Sequence, residues 1–171
     1  AGEDASCLNL YAPAEPRILG ASSSFIREGR FAFQASLAAT AEQQRSPWLL
    51  LETPQADGAI PAVGDANTLQ YVLHVAIGDE VVVRGDGGAP VRLRLVGALR
   101  DTILQGELII AEASFLRAFP DREGFRVFLL ETDAARAGTL VAPLEESLSD
   151  WGAEVELSAD RLAAFHRVEN T

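Results

Sequence analysis

The hydrophobic pattern of this chain changes period several times, and each change predicts an element. The clearest stretch runs from Glu80 to Leu99. Glu80–Arg84 and Val91–Leu99 read as two strands joined by Gly85-Asp86-Gly87-Gly88. In the second strand Val91, Leu93 and Leu95 point one way and Arg92 and Arg94 the other, which marks a half-buried antiparallel hairpin. Gly97 inside it signals a bulge or a close backbone contact. Gly78-Asp79 turns the chain into the hairpin. Glu107–Ala111 reads as a further strand, and so does Trp48–Leu51. Ile60–Val63 is another short apolar piece, and Gln55–Gly58 a turn before it. Leu8, Leu10 and Tyr11 suggest a short strand near the start.

Helical spacing appears elsewhere. Ser22–Ser24 open a short helical turn through Phe25 and Ile26. Phe33, Leu37 and Ala41 lie four apart and predict a helix over 33–45, stopped by Ser46-Pro47. Asp65 is placed to cap a helix over 66–74, with Leu69, Val72 and Leu73 on its apolar face. Ala113–Phe119 reads as a short helix with Phe115, Leu116 and Phe119 on one side, ended by Pro120-Asp121.

From Pro120 on, the pattern reads strand, helix, strand, helix. Phe125–Glu131 is apolar on both faces except at Arg126, as in a central strand. A helix over 134–151 follows, carrying Leu140, Val141, Leu144, Leu148 and Trp151 on one side. Pro143 falls inside it, so the helix either starts near Thr139 or kinks. Gly152 suits the C′ position, Ala153–Leu157 reads as a strand, and Ser158 caps a last helix. The chain therefore divides into a mixed, β-rich region, 1–119, and an α/β region, 120–171. The strand–helix–strand order suggests a crossover onto one sheet.

Composition narrows the classes. The chain has 171 residues, 25 acidic and 14 basic, for a formal net charge of −11. Globular composition at this length needs no metal or disulfide to fold. The acidity argues against tracking nucleic-acid phosphates. All basic residues are Arg, and there is no Met even at position 1, as in a chain processed or cut from something larger. The first residues lack a signal peptide's charged and apolar regions. No stretch reaches the ~20 apolar residues of a membrane span. Cys7 is alone, so no internal disulfide forms, and its plainest reading is a small packing residue.

Candidate chemistry is thin. His74 and His166, the two histidines, lack partners at metal-ligand spacing. Asp79, Asp86, Asp101, Glu107 and Glu112 are scattered at turns and strand ends, where turn formers and solvated acids belong; hydrolysis needs a close carboxylate pair in a cleft. Arg84-Gly85-Asp86 spells an adhesion tripeptide, but at a glycine-rich hairpin tip it is more simply a tight turn. No Gly-Lys-Ser/Thr follows the same glycines, so they are not a phosphate loop. Arg92 and Arg94 form a basic stripe that either binds an acidic partner or pairs with local carboxylates. Phe115, Leu116 and Phe119 read as core rather than as a partner groove. These patterns yield no catalytic, cofactor-binding or metal-ligating residue.

Several stretches nevertheless resemble the extracytoplasmic (periplasmic) domain of ABC-transporter permeases of the FtsX/MacB type. They are Gly78-Asp79-Glu80, Arg94-Leu95-Val96-Gly97-Ala98-Leu99, Gln105-Gly106-Glu107-Leu108-Ile109-Ile110-Ala111-Glu112 and Phe125–Leu130. The opening Cys7-Leu8-Asn9-Leu10 with Pro16-Arg17-Ile18-Leu19-Gly20 is similar too, as is the tail Arg161–Thr171. The resemblance implies an α+β, two-lobed periplasmic core domain: a β-rich lobe, here much of 1–119, and a porter-like lobe of strand–helix–strand–helix order, here 120–171. It implies no catalysis and no cofactor. It implies a cytoplasmic ATPase subunit as partner through a transmembrane part outside this sequence, a possible second permease copy and a possible periplasmic protein. It makes Ser158–Thr171, anchored by Leu162 and Phe165, the lever that passes motion from the membrane. The alternatives are a free-standing extracytoplasmic module that binds a ligand or peptide and, more remotely, a hydrolase.

Overall fold

A computed structural model describes residues 16–122 and 124–169, with side chains through Phe165. The expected strand at Leu8–Tyr11, together with Cys7 and the last two residues of the tail, lies outside the described residues. The chain forms two compact units that divide after Arg122.

The first unit is built on one mixed sheet of six strands: β1 (Arg17–Ala21), β2 (Phe33–Ser36), β3 (Ile60–Asp65), β4 (Glu80–Arg84), β5 (Pro90–Leu99) and β6 (Glu107–Ala111). The order is β1-β6-β3-β5-β2, with β4 also on β5. β1 runs parallel to β6, β6 antiparallel to β3, and β3 parallel to β5. The ten-residue β5 carries two partners along one edge. Its first half pairs antiparallel with β4, from Glu80↔Arg94 to Arg84↔Pro90, and its last residues pair antiparallel with β2.

The hairpin and β6 take the expected form, since alternation and turn glycines are local signals. Gly87 and Gly88 both have φ of 80°, the left-handed region that glycine enters without a Cβ clash. At Gly97 the expected bulge forms, and the close approach is to a side chain rather than to backbone. Pairing with β3 steps from Ala62↔Leu95 to Val63↔Gly97, so Val96 is an extra residue. A Cβ on Gly97 would lie 2.6 Å from Phe33 Cε1.

Both sheet faces are covered. One face packs Val63, Val96, Leu99 and Ile109 against Ile26, Trp48, Leu50 and Leu51. The other packs Leu93, Leu95, Leu108 and Ile110 against Leu69 and Phe119. Alternation puts Leu95 and Val96 on opposite cores, and the bulge explains why Val96 and Leu99, three positions apart, share one.

α1 (Ser23–Glu28) is capped by the Ser22 hydroxyl, which accepts from Phe25 N at 3.3 Å. The helix expected over 33–45 is two elements. Residues 33–36 are β2, and only α2 (Ala41–Arg45) is helical. A capping box between Thr40 and Gln43 starts α2, and Ser46-Pro47 ends it. Phe33 lies in β2 because its ring fills the space above Gly97 and meets Trp48 edge-on at 5.2 Å. Trp48–Leu51 is buried as expected but is not a strand. It belongs to a 3-10 helix, Pro47–Glu52, begun by proline at its first position. The Trp48 indole N–H donates to the Arg30 carbonyl.

Asp65 caps as expected, its Oδ1 accepting from Thr68 N at 2.9 Å. The helix it starts is shorter than 66–74: one α turn widens into a π turn over Thr68–Val72. Leu69 is buried, but Val72 is half exposed. α3 (Glu112–Ala118) packs Phe115 and Phe119 together at 5.0 Å, while Leu116 points away and is half exposed.

The second unit holds α4 (Ala134–Leu148), extended by a 3-10 turn to Trp151, and α5 (Ser158–Glu169). Pro143 sits inside α4, which starts well before Thr139. Gly152 is the left-handed cap, at φ 63°. Ser158 is the first helical residue rather than the cap, and the Leu157 carbonyl accepts from Asp160 N and Arg161 N. Of the apolar side expected for α4, Leu140, Val141 and Leu144 are half-buried, Leu148 is exposed, and Trp151 is 84% exposed. Neither expected strand forms. Phe125–Glu131 and Ala153–Leu157 carry no ladder pairing, so the strand–helix–strand–helix expectation reduces, among the described residues, to two helices and connecting segments. A strand needs a partner to satisfy its N–H and C=O groups, and no described segment supplies one. The described fold is thus a mixed α/β structure with one mixed sheet. No helix among the described residues is long and apolar enough to cross a membrane.

Candidate functional site

The parallel neighbours β1 and β6 end side by side at Ala21 and Ala111. Each passes at once into a helix. α1 goes to the face holding Ile26, and α3 to the face holding Phe119. Connections leaving adjacent parallel strands toward opposite faces open a crevice beyond the strand ends. A groove of about 770 Å3 occupies this place. Its floor and sides include Leu51, Ala59, Ile60 and Pro61 from the end of the 3-10 helix and the start of β3.

Polar groups converge on its rim. Ser23 Oγ donates to Glu52 Oε1 at 3.1 Å, and Arg117 Nη2 donates to Ser114 Oγ at 3.0 Å. The Thr53–Gln55 wall is held from behind. Gln43 Nε2 donates to Thr53 Oγ1 at 3.3 Å, that hydroxyl donates to the Leu49 carbonyl at 3.1 Å, and Gln55 Nε2 donates to the Thr53 carbonyl at 3.2 Å. No sequence pattern marked this groove, because it is assembled from three separated stretches: 21–23, 51–61 and 111–117. Of its residues only Glu112 and Leu116 are among the sequence's candidate site or partner-contact residues, and Leu116 lines the groove instead of the core.

The basic stripe has a different fate. Arg94 Nη2 lies 2.6 Å from Asp57 Oδ2 and also bonds Glu80 Oε1. Arg92 Nη1 lies 3.5 Å from Glu80 Oε2 and 3.9 Å from Asp57 Oδ2, and its Nη2 donates to the Asp57 carbonyl. Both guanidinium groups are thus engaged by local carboxylates. The Asp57 carboxyl is held below its ordinary range, first by the Ala59 N–H it accepts, then by Arg94 and Arg92, with desolvation opposing. Arg94 is pushed further up, chiefly by its hydrogen bond to Glu80. Arg94 Nε is buried with no hydrogen-bond partner.

The scattered acids do not gather. Asp79 Oδ2 accepts from Ala76 N at 2.8 Å, closing the turn before β4. Asp86 Oδ2 accepts from Asp121 N at 3.1 Å, and its Oδ1 lies 3.6 Å from Arg122 Nε. The hairpin tip, including Arg84-Gly85-Asp86, is thereby tied to the end of the first unit. A Cβ on Gly85 would come 2.7 Å from the Ala118 carbonyl. Glu107 is buried and lies 3.4 Å from Arg17. Asp101 sits at φ 46° on the rim of a small polar hollow with Asp65 and Gln105. His74 is exposed at φ 54°, and the side chain of His166 lies outside the described residues. No group of three or more potential metal ligands occurs among the described residues.

No family model, no curated protein and no solved structure matches this chain.

Proposed function

We propose that this chain is the extracytoplasmic domain of an ABC-transporter permease of the FtsX/MacB type. In this reading it performs no chemistry itself. ATP hydrolysis in a cytoplasmic subunit moves transmembrane helices of the parent protein, and this domain turns that motion into a shape change outside the membrane. The shape change serves export, lipoprotein release or signalling to a partner, and a second permease copy completes the working unit.

One observation carries the reading. Three stretches of the resemblance fall in the one sheet: Gly78-Asp79 turns into β4, Arg94–Leu99 is the bulged half of β5, and Glu107–Ala111 is the fully buried β6, with β3 between β5 and β6, whereas Phe125–Leu130 belongs to the other unit and forms no strand. A pattern that coincides with the turn, bulge and core of one sheet is a pattern of fold. The second unit supports the lever role through α5, where Leu162 and Phe165 are half-buried and Arg161 lies 5.6 Å over the Phe165 ring. Within this reading, that unit corresponds to the porter-like lobe.

Two measurements test it. The parent gene is expected to encode apolar spans of ~20 residues before and after this stretch. Protease added to intact spheroplasts making the parent protein is expected to remove the domain. A parent without such spans, or a domain sheltered until the inner membrane is lysed, overturns the proposal.

A further inference from the structure

The crevice beyond β1 and β6 has the size of a ligand site, since such pockets run ~300–1,000 Å3. Some charges of the first unit are matched in ion pairs, and others, such as Arg27, Arg45, Arg84 and Arg100, have no carboxylate within 4 Å among the described residues. Arg92 and Arg94 are matched by Asp57 and Glu80, Arg122 by Asp86, and Arg17 by Glu107. On the crevice rim, Arg117 has Ser114 as its bonded partner and no carboxylate within 4 Å among the described residues. Glu52 accepts from Ser23, and neither it nor Glu112 has a cation at that distance among the described residues. One guanidinium and two carboxylates therefore face one apolar-floored groove with their charges uncompensated. A ligand that carried only one charge would leave the opposite set unmatched.

We propose that this crevice binds a short peptide through its free termini, the carboxylate on Arg117 and the ammonium group between Glu52 and Glu112. The planar fork of Arg117 suits a carboxylate. Ser114 Oγ holds that fork at 3.0 Å, which limits the freedom lost on binding. Ile60 and the half-exposed Leu116 offer the apolar surface against which a peptide's side chain rests, with Leu51 and Pro61 buried behind it. Both groups of rim charges are solvent-accessible, so a ligand meets them without first breaking an ion pair. The inference is independent of the permease reading, and either can fail alone.

The test uses the whole chain and the tripeptide Ala-Leu-Ala in three forms: free, C-amidated and N-acetylated. Titration calorimetry is expected to show binding of the free form, weakened about tenfold or more by either block. Arg117→Ala is expected to weaken the free peptide to the same degree and to erase the preference for free acid over amide. Arg117→Lys restores part of it, and Glu112→Gln with Glu52→Gln erases the preference for the free amine. These side chains are accessible, so melting curves are expected to match the wild type. Equal binding of blocked peptides, an unchanged preference in Arg117→Ala, or no binding at millimolar peptide overturns the proposal.

Discussion

Arg94 and Asp57 approach to 2.6 Å across 37 positions of sequence, tying the loop before β3 to the β4–β5 hairpin. The pairing makes the acid limb of stability partly a property of Asp57. Its carboxyl is depressed in the folded state, so its contribution is fully present above the unfolded carboxylate range, near ~4. It is lost as pH falls through the lower folded value. Arg94→Ala is expected to raise the Asp57 pKa toward the ordinary range without restoring it fully, because the Ala59 N–H remains. Side-chain carboxyl NMR titration checks this. Asp57→Asn is expected to flatten the stability profile below pH ~5.

Gly97 and Phe33 make a second long-range test. The ring of Phe33 occupies the space a Gly97 side chain would need and is wedged against Trp48. Gly97→Ala is therefore expected to cost about 1–3 kcal/mol by overpacking. The cost is expected to shrink in a Phe33→Ala background, where the space is empty. Chemical denaturation of the four proteins in this cycle gives the coupling. An equal penalty in both backgrounds would assign the effect to the bulge backbone instead.

The same pair shows what was legible along the chain. β4, β5 and β6 follow from alternation and turn glycines, which are local. β2 does not. Phe33, Leu37 and Ala41 share a helical spacing, yet Phe33 is claimed by Gly97, 64 positions away, in antiparallel pairing with β5. Two local signals could have corrected the reading. Thr40 and Gln43 form a capping box that places the helix start at Ala41, and Pro47 at a first helical position marks a turn rather than a strand. Phe125–Leu130 has the composition of a strand, but pairing depends on a partner, which composition does not contain. The crevice was invisible for a related reason. Its walls come from three stretches whose adjacency exists only after β1 has paired with β6.

Asp65 is the polar centre of the β3 end. Its Oδ1 accepts from Thr68 N at 2.9 Å and its Oδ2 from Gly106 N at 3.2 Å, while Thr68 Oγ1 accepts from the same Gly106 N–H at 2.8 Å. Asp65→Ala removes a cap and a buried acceptor, and is expected to cost about 2 kcal/mol. Thr68→Val is expected to cost less, since Gly106 N keeps Asp65. The double variant is expected to exceed the sum of the two, because only it leaves that N–H with neither acceptor. Denaturant midpoints of the three variants decide this.

The two tryptophans report on the two units separately. Trp48 is 1% exposed and Trp151 is 84% exposed. Iodide is expected to quench about one component of the emission and leave the other untouched. Trp151→Phe is expected to abolish the quenchable component without changing the melting of the first unit, whose core contains Trp48. A quenchable signal that survives Trp151→Phe would place Trp48 in water and contradict the packing around β5.

The unpaired apolar segment gives the sharpest test of the second unit. Phe125, Phe128 and Leu130 are 62%, 73% and 70% exposed, in a stretch whose backbone pairs with no described strand. Amides over 125–131 are therefore expected to exchange hydrogen close to the unstructured rate, while those of β6, buried and paired on both sides, exchange only through rare opening. The contrast must hold at low protein concentration. Protection over 125–131 that grows with concentration would mean that the segment pairs with another copy of the chain, as exposed strand-forming sequences tend to do. In that case Phe128→Glu is expected to abolish both the protection and the association, while leaving exchange in β6 unchanged.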